Sequence, residues 1–217
     1  MPKPGDSRFK ILVISSALFA RDGYHGTSIR EIGKKCKLKQ PSIYHYFHDK
    51  EHLYHEALKG TRHLFLRVLH DAITKRYDLS TELYSYFQVF DVWRITFKGT
   101  IFPSEISIMT HFLTAAPEKF RKETAFFLQR GLRRLVKSSF RRHGQEHEQK
   151  ERLFLTGFYG FFFQYVHLHE MPFPSEDLLA FISGITETKA SLQHLEASYQ
   201  EVTRKIQRIK KYLLDWL

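Results

Sequence analysis

The sequence has few of the residues that build disulfide-rich, turn-rich or membrane-spanning proteins. Its 217 residues include a single cysteine, Cys36, so no disulfide can form within the chain. Eleven glycines and seven prolines are few for a fold with many tight turns. No run of roughly 18 apolar residues occurs, and the N-terminus lacks the charged-then-apolar layout of a signal peptide. These absences disfavour an all-β fold and a membrane protein, and they favour a reducing, cytoplasmic setting.

Aromatic and basic residues are abundant instead. The chain has 20 Phe and 11 Tyr, and its 34 Lys and Arg residues outnumber 23 Asp and Glu to give a net charge of +11. A large positive charge favours a polyanionic partner, which is a nucleic acid or, less often, a membrane surface.

Apolar residues recur at helical spacing along nearly the whole chain, and no segment alternates as a strand does, so the sequence predicts an all-α fold. Asp22-Gly23 ends a first helix, and Thr27-Ser28-x-x-Glu31 is a capping box that begins a second. Pro41 opens a third helix, and a long last helix begins at Ser175. Other helix starts are predicted at Asp49, Ser80, Pro103-Ser104, Pro117 and Lys150.

The short helices within residues 8–50 are arranged as a helix-turn-helix, in which the second helix of the pair enters the major groove. Lysines crowd the turn, at positions Lys34, Lys35, Lys37 and Lys39. A lysine cluster taken alone is more often a solvated face. Because this one coincides with a helix-turn-helix and with overall basicity, we expect it to face DNA phosphates.

The order of motifs in this region resembles the DNA-binding domain of the TetR family of transcriptional regulators. The resemblance covers about residues 8–57 and is carried by these segments: Ala17-Leu18-Phe19, Gly23-Tyr24, Thr27 to Ile32, Gln40 to Phe47 and Asp49-Lys50-Glu51. It implies a DNA-binding domain over residues 1–55 and a larger helical domain over 56–217 for effector binding and dimerisation. It also implies a homodimeric, ligand-responsive repressor of a palindromic operator, with dimer contacts through residues 150–169 and the last helix.

The resemblance assigns DNA contacts position by position. The residues concerned are Ser28, Ile29, Arg30, Lys39, Gln40, Pro41, Ser42, Tyr44, His45, Tyr46 and Lys50. Two positions depart from the family pattern. Lys37 stands where the turn usually has glycine, and Gly33 replaces the usual alanine inside the second helix. Cys36 is interpreted as a small packing residue rather than a redox sensor.

Arg94 interrupts an apolar stripe in the larger domain. It is either an arginine at the edge of the stripe or the anchor of an acidic effector. The aromatic residues around it either form plain core or line a pocket for a small, mainly apolar effector. The candidate effector-binding residues are Phe90, Trp93, Arg94, Phe97, Phe112, Phe158 and Phe162. His167-x-His169 is only a weak metal pattern, so no metal and no cofactor are expected.

The end of the chain carries a heptad pattern over residues 192–216, from Leu192 to Trp216. We expect this narrow seam to pair with the other subunit rather than to cover the core of its own. No phosphate-binding loop, nucleophile elbow or zinc motif occurs, so the chain is not expected to be an enzyme. The alternative function is a DNA-tethered coiled-coil adaptor that senses no small molecule.

Overall fold

The computed structural model describes residues 6–72, 77–97, 116–168 and 176–214, without the side chains of Ala72, Arg94, residues 162–168 and Leu214. The described residues form helices and no strand, as the sequence predicts. The helices are α1 (Ser7–Gly26), α2 (Ile29–Cys36), α3 (Gln40–Tyr46), α4 (Lys50–Ala72), α5 (Leu79–Phe97), α6 (Glu118–Arg142), α7 (Glu148–Leu168), α8 (Glu176–Thr186) and α9 (Leu192–Leu214). The helix predicted from Pro103-Ser104 lies outside the described residues. None of the described helices is long and apolar enough to cross a membrane.

Most predicted helix ends are confirmed. The backbone breaks at Gly23, which has a φ of 78°, and the Oγ of Ser28 accepts a hydrogen bond from the Glu31 N–H at 3.1 Å. The first turn of α5 differs from the prediction. Asp78, not Ser80, is its N-cap, because an oxygen of the Asp78 carboxylate accepts from the Thr81 N–H at 2.8 Å. The Ser80 hydroxyl is buried and contacts Thr188 instead.

The single long helix predicted from Ser175 is two helices. Residues 187–191 separate α8 from α9, and Glu187 has a φ of 58°, which a continuous helix does not allow. The Ser191 hydroxyl then accepts from the His194 N–H at 3.0 Å and caps α9. The spacing of apolar residues alone predicts one helix here, because it does not show the second helix start at Ser191.

Most of the apolar seam of α9 is buried within the chain. Leu195, Val202, Ile206 and Leu213 are each at most 7% exposed. The Gln88 side chain on α5 donates to the Leu195 carbonyl at 2.9 Å and accepts from the Ser198 hydroxyl at 2.9 Å. The prediction that this seam pairs with the other subunit is therefore wrong, because the chain's own residues already cover it.

The chain divides into two compact units. The first comprises Met1–Phe65, Phe97–Phe127 and Gln207–Leu217. Its core includes Phe19 and Tyr54, whose ring centroids lie 4.9 Å apart, and the fully buried Ile32 of α2. This core holds α1 to α3 together and thereby positions the helix-turn-helix.

The second unit comprises Leu66–Thr96 and Leu128–Ile206. Aromatic rings fill its core, and the rings of Phe87 and Phe158 lie 5.0 Å apart. Glu82 is buried among them and binds the side chains of Arg142 and His143, the latter at 2.7 Å. The aromatic content of the sequence is therefore used largely in packing.

Candidate DNA-binding site

The turn between α2 and α3 is tight and closes on the backbone of α2. Lys37 adopts a left-handed conformation with φ 58° and ψ 39°, and its N–H donates to the Lys34 carbonyl at 3.3 Å. The N–H of Leu38 donates to the Gly33 carbonyl at 2.9 Å. These bonds satisfy the last carbonyls of α2. The non-glycine residue predicted to adopt the turn conformation does so, with the steric cost that its Cβ brings.

Gly33 is required by the same turn. A Cβ atom at this position would lie 2.8 Å from the Leu38 carbonyl oxygen and 3.4 Å from Cδ1 of Ile43. The sequence shows only the cost of glycine inside a helix. The structure shows the benefit, because the backbone that leads into α3 passes directly over the position.

α3 buries one face and presents the other. Ile43 and the capping residue Phe47 are fully buried, whereas the side chains of Tyr44 and Tyr46 are 47% and 37% exposed. Pro41 lies in the first turn, where its missing N–H leaves no helical bond unmade. A short helix held by its apolar face and exposing polar aromatic side chains has the arrangement of a recognition helix.

Ten of the eleven predicted DNA-contact side chains are accessible. Eight are exposed: Ser28, Arg30, Lys39, Gln40, Pro41, Tyr44, His45 and Tyr46. Ser42 and Lys50 are half-buried. Ile29 differs from the expectation, because its side chain is 8% exposed and belongs to the core of the first unit.

Lys50 begins α4 beside an aromatic ring. Its Nζ lies 4.6 Å from the centroid of the Tyr24 ring, and partial burial lowers the pKa of its ammonium group. The carboxylate of the preceding Asp49 accepts from the His52 N–H at 2.7 Å and fixes the start of α4. Lys50 is thus held at the end of a well-capped helix.

The lysines of the turn supply exposed positive charge. Lys34, Lys35, Lys37 and Lys39 are all exposed, and within the described part of the chain none of them lies in an ion pair. Their charges are available to phosphates, as the sequence predicts.

The predicted effector residues are brought together only in part. Phe90 and Phe158 pack with ring centroids 5.9 Å apart, and both are at most 3% exposed, as core residues are. Trp93 and Phe97 are also buried. Phe112 and the side chains of Arg94, Phe162 and His167 lie outside the described residues, as does His169. Across the described ranges, no group of three or more His, Cys, Asp or Glu side chains is placed to hold a metal ion.

A cavity of about 350 Å³ lies between α5 and α9, and none of the predicted effector residues is among its lining residues. It is lined by Tyr84, Gln88, Asp91, Leu192, Leu195, Glu196, Tyr199 and Gln200. The hydroxyl of Tyr199 donates to the Asp91 carboxylate at 3.0 Å across one side of it. Sequence reasoning missed this cavity, although helical spacing places its residues on one face of each helix.

The proteins that this chain resembles in sequence are described as transcriptional regulators, which agrees with a DNA-binding role for α3 and the turn before it. Residues 11–57 match the family described as bacterial regulatory proteins, tetR family. Over 62 residues, the chain is 44% identical to the HTH-type transcriptional regulator YxaF of Bacillus subtilis (strain 168), covering 28% of this chain and 32% of that one. Over 121 residues it is 25% identical to IcaR of Staphylococcus epidermidis, the HTH-type negative transcriptional regulator of the biofilm operon icaADBC, covering 55% and 60%. The matched segments thus span less than two thirds of these relatives.

The structural similarity to known proteins covers more of the chain than residues 11–57. The structure of AibR in complex with isovaleryl coenzyme A and operator DNA superposes with a TM-score of 0.54 at 16% identity. The alignment covers 85% of this chain and 98% of that one. At this identity, the likeness shows a common fold.

Proposed function

Because residues 11–57 match the tetR family of bacterial regulatory proteins, we propose that this chain is a DNA-binding transcriptional regulator and not an enzyme. Residues 1–55 act as the DNA-binding domain, and the rest of the chain serves dimerisation and effector binding. The finer proposal is a cytoplasmic repressor that binds a palindromic operator as a homodimer.

The observation that carries the proposal is the exposed face of α3 beside a turn of unpaired lysines. Gln40, Tyr44 and His45 lie on that face, and the four turn lysines surround it with positive charge. Phosphate contacts from Lys and Tyr side chains position a helix on DNA, while Gln and Arg side chains can read base edges. We assign base contact to Gln40 and Arg30, and phosphate contact to Tyr44 and Lys50.

The dimer in this proposal is supported by a surface on α7 that is exposed among the described residues. Leu153 and Tyr159 on α7 are 53% and 37% exposed, and a Cβ added at Gly160 would meet no atom within 4 Å. Gly157 is different, because the Phe181 ring of α8 would lie 2.0 Å from such a Cβ. Gly157 therefore serves packing within the chain, and the surface around Gly160 is the part open to a second copy.

The sensing part of the proposal is a small, mainly apolar effector, with or without an acidic group, that releases the protein from its operator. Its support is the family membership and the fold shared with AibR, which was solved with both isovaleryl coenzyme A and operator DNA. Burial of the α9 seam removes the main support for the alternative of a coiled-coil adaptor.

The test is selection of bound sequences from random duplex DNA, followed by gel shifts at physiological salt. We expect a palindromic site bound at least 1,000-fold more tightly than random DNA, as is typical of specific regulators. Tyr44→Phe and Lys50→Gln should weaken binding to all sequences, whereas Gln40→Ala and Arg30→Ala should change the preferred sequence. Lys119→Gln, which removes an exposed lysine of α6 that pairs with Glu51, is the control for charge alone. If no site is bound more tightly than random DNA, the proposal is wrong.

A further inference from the structure

Arg62 is a buried arginine on α4 that uses only part of its hydrogen-bonding capacity. It is 5% exposed, and its Nη2 donates to the Glu123 carboxylate of α6 at 2.6 Å. Its guanidinium carbon lies 4.6 Å from the centroid of the Phe127 ring. The first unit therefore holds the guanidinium between a carboxylate and an aromatic side chain.

The remaining donors of Arg62 are buried without acceptors. Among the residues that the structure describes, Nε and Nη1 have no hydrogen-bond partner. The hydroxyl of Thr124, the residue after Glu123, is also buried without a partner, and Thr124 is fully inaccessible. Buried polar groups are almost always hydrogen-bonded, so the free donors of Arg62 give this region the capacity to bind an acceptor.

The chemistry of these groups limits what that acceptor can be. A guanidinium only donates hydrogen bonds, and it binds anionic oxygens most strongly. Glu123 does not fully compensate it, because its side chain is 42% exposed and also contacts the His55 ring at 3.3 Å. Burial alone would raise the pKa of the Glu123 carboxyl, but the hydrogen bonds and charges of Arg62 and His55 outweigh it and lower the pKa.

The surroundings of the guanidinium are aromatic. The ring of Phe127 covers Arg62 and lies 4.8 Å from the His63 ring, and Phe120 is buried one turn before Glu123. We infer that Arg62, with Thr124, binds the carboxylate of a small organic acid with an apolar body between α4 and α6. This inference rests on the proposed function, since it gives the effector a chemical class and places its anchor at Arg62.

The position of Arg62 connects such a ligand to the DNA-binding helices. Lys50 and Arg62 are on the same helix, about 18 Å apart along its axis. A carboxylate bound to Nε and Nη1 brings a second negative charge next to the Glu123 carboxylate on Nη2, and this repulsion weakens the tie between α4 and α6. DNA affinity should therefore fall when the acid binds.

The experiment uses the full chain and three acids, acetate, hexanoate and phenylacetate, each compared with its neutral amide. Calorimetric titration should show that hexanoate or phenylacetate binds at least 10-fold more tightly than its amide. Arg62→Gln should reduce that affinity at least 10-fold. Lys59→Gln, which removes an exposed lysine one turn away on α4, should leave it unchanged.

A second variant covers the case in which Arg62→Gln fails to fold. Thr124→Val keeps the side-chain volume and removes a hydroxyl that has no partner, so the chain should fold normally and bind the acid several-fold more weakly. Equal binding of acids and amides, no binding of any acid at 10 mM, or a crystal structure with ordered water on Nε and Nη1 would overturn the inference. Gel shifts on the same protein preparations without added acid report DNA binding separately, so the absence of a specific DNA site in them marks failure of the proposed function and not of the acid site.

Discussion

At the scale of single residues, burial rather than residue type decides the chemistry of several side chains. Cys36 is 2% exposed at the end of α2, and burial raises the pKa of its thiol to about 11. Ile29, which the resemblance in the sequence assigns to the DNA contacts, is buried in the core of the first unit. Burial has a different effect on Arg62, because two of its donor nitrogens have no hydrogen-bond partner among the described residues.

We expect the Cys36 thiol to be nearly unreactive in the folded chain. With its pKa near 11, the thiolate fraction at pH 8 is far below that of an exposed cysteine. Reaction with a disulfide reagent at pH 8 should be at least about 100-fold slower in the native protein than in denaturant. Because the pKa is raised, the native rate should still increase tenfold per pH unit up to pH 10. Equal native and denatured rates would show that the thiol is accessible.

At the scale of elements, residues at the ends of helices determine where most helices start and how α2 turns into α3. Ser28, Asp49, Asp78 and Ser191 each cap a helix with a side-chain oxygen. The α2–α3 turn depends on two unusual positions, Lys37 with its positive φ and Gly33 beneath the Leu38 carbonyl. Recognition-helix placement therefore depends on backbone contacts in the turn as well as on the core.

Gly33→Ala should destabilise the chain even though alanine favours helices. The added Cβ would lie 2.8 Å from a backbone oxygen, which cannot move without disturbing the turn. The expected loss is about 1–2 kcal/mol after the gain of about 1 kcal/mol in helix propensity. Urea unfolding measures it.

Gly60→Ala is the matched control, because a Cβ at this position in α4 meets nothing within 4 Å. It should stabilise the chain by about 0.5–1 kcal/mol. If both substitutions stabilise equally, the close approach at Gly33 has no energetic consequence.

At the scale of the whole molecule, the proposed dimer and operator symmetry depend on a surface that the single chain does not bury. Gly160 lies on that surface, whereas Gly157 is covered by Phe181. The α9 seam, once buried, contributes to the chain's own stability instead of to a second interface. Truncation after Ser191 should therefore destabilise the protomer.

Gly160→Leu should weaken the dimer and spare the fold. Because a Cβ at this position meets no described atom within 4 Å, the unfolding midpoint of the isolated protomer should change little, while a closely packed second copy would be displaced. Light scattering across a dilution series should show the dimer dissociation constant rising at least 10-fold. Gly60→Leu makes the same change on α4 and should leave the constant unaltered. A stable wild-type monomer at micromolar concentration would remove the dimer from the proposal.

The sequence alone determined the helical class and the helix-turn-helix, because both depend on local periodicity and capping residues. Ser28, Gly23 and Pro41 act within one helical turn of their own positions, so their roles are visible without tertiary structure. The sequence also placed Tyr44 and Gln40 on α3, since a matched motif fixes their register.

Only the tertiary structure decided what long-range packing controls. The heptad pattern of α9 fits a partner helix from the same chain as well as one from a second subunit. The hydrogen bonds with α5 and the burial of the seam show that the partner is in the same chain. The residues next to Arg62 in the sequence do not indicate that it is buried or paired. Its environment depends on α6, some sixty residues away, where Glu123 pairs with one of its nitrogens while two others are buried. From the sequence, Gly33 only lowers the helix propensity of α2. The structure shows that glycine is required at this position, because the Leu38 carbonyl oxygen lies where a Cβ would need space.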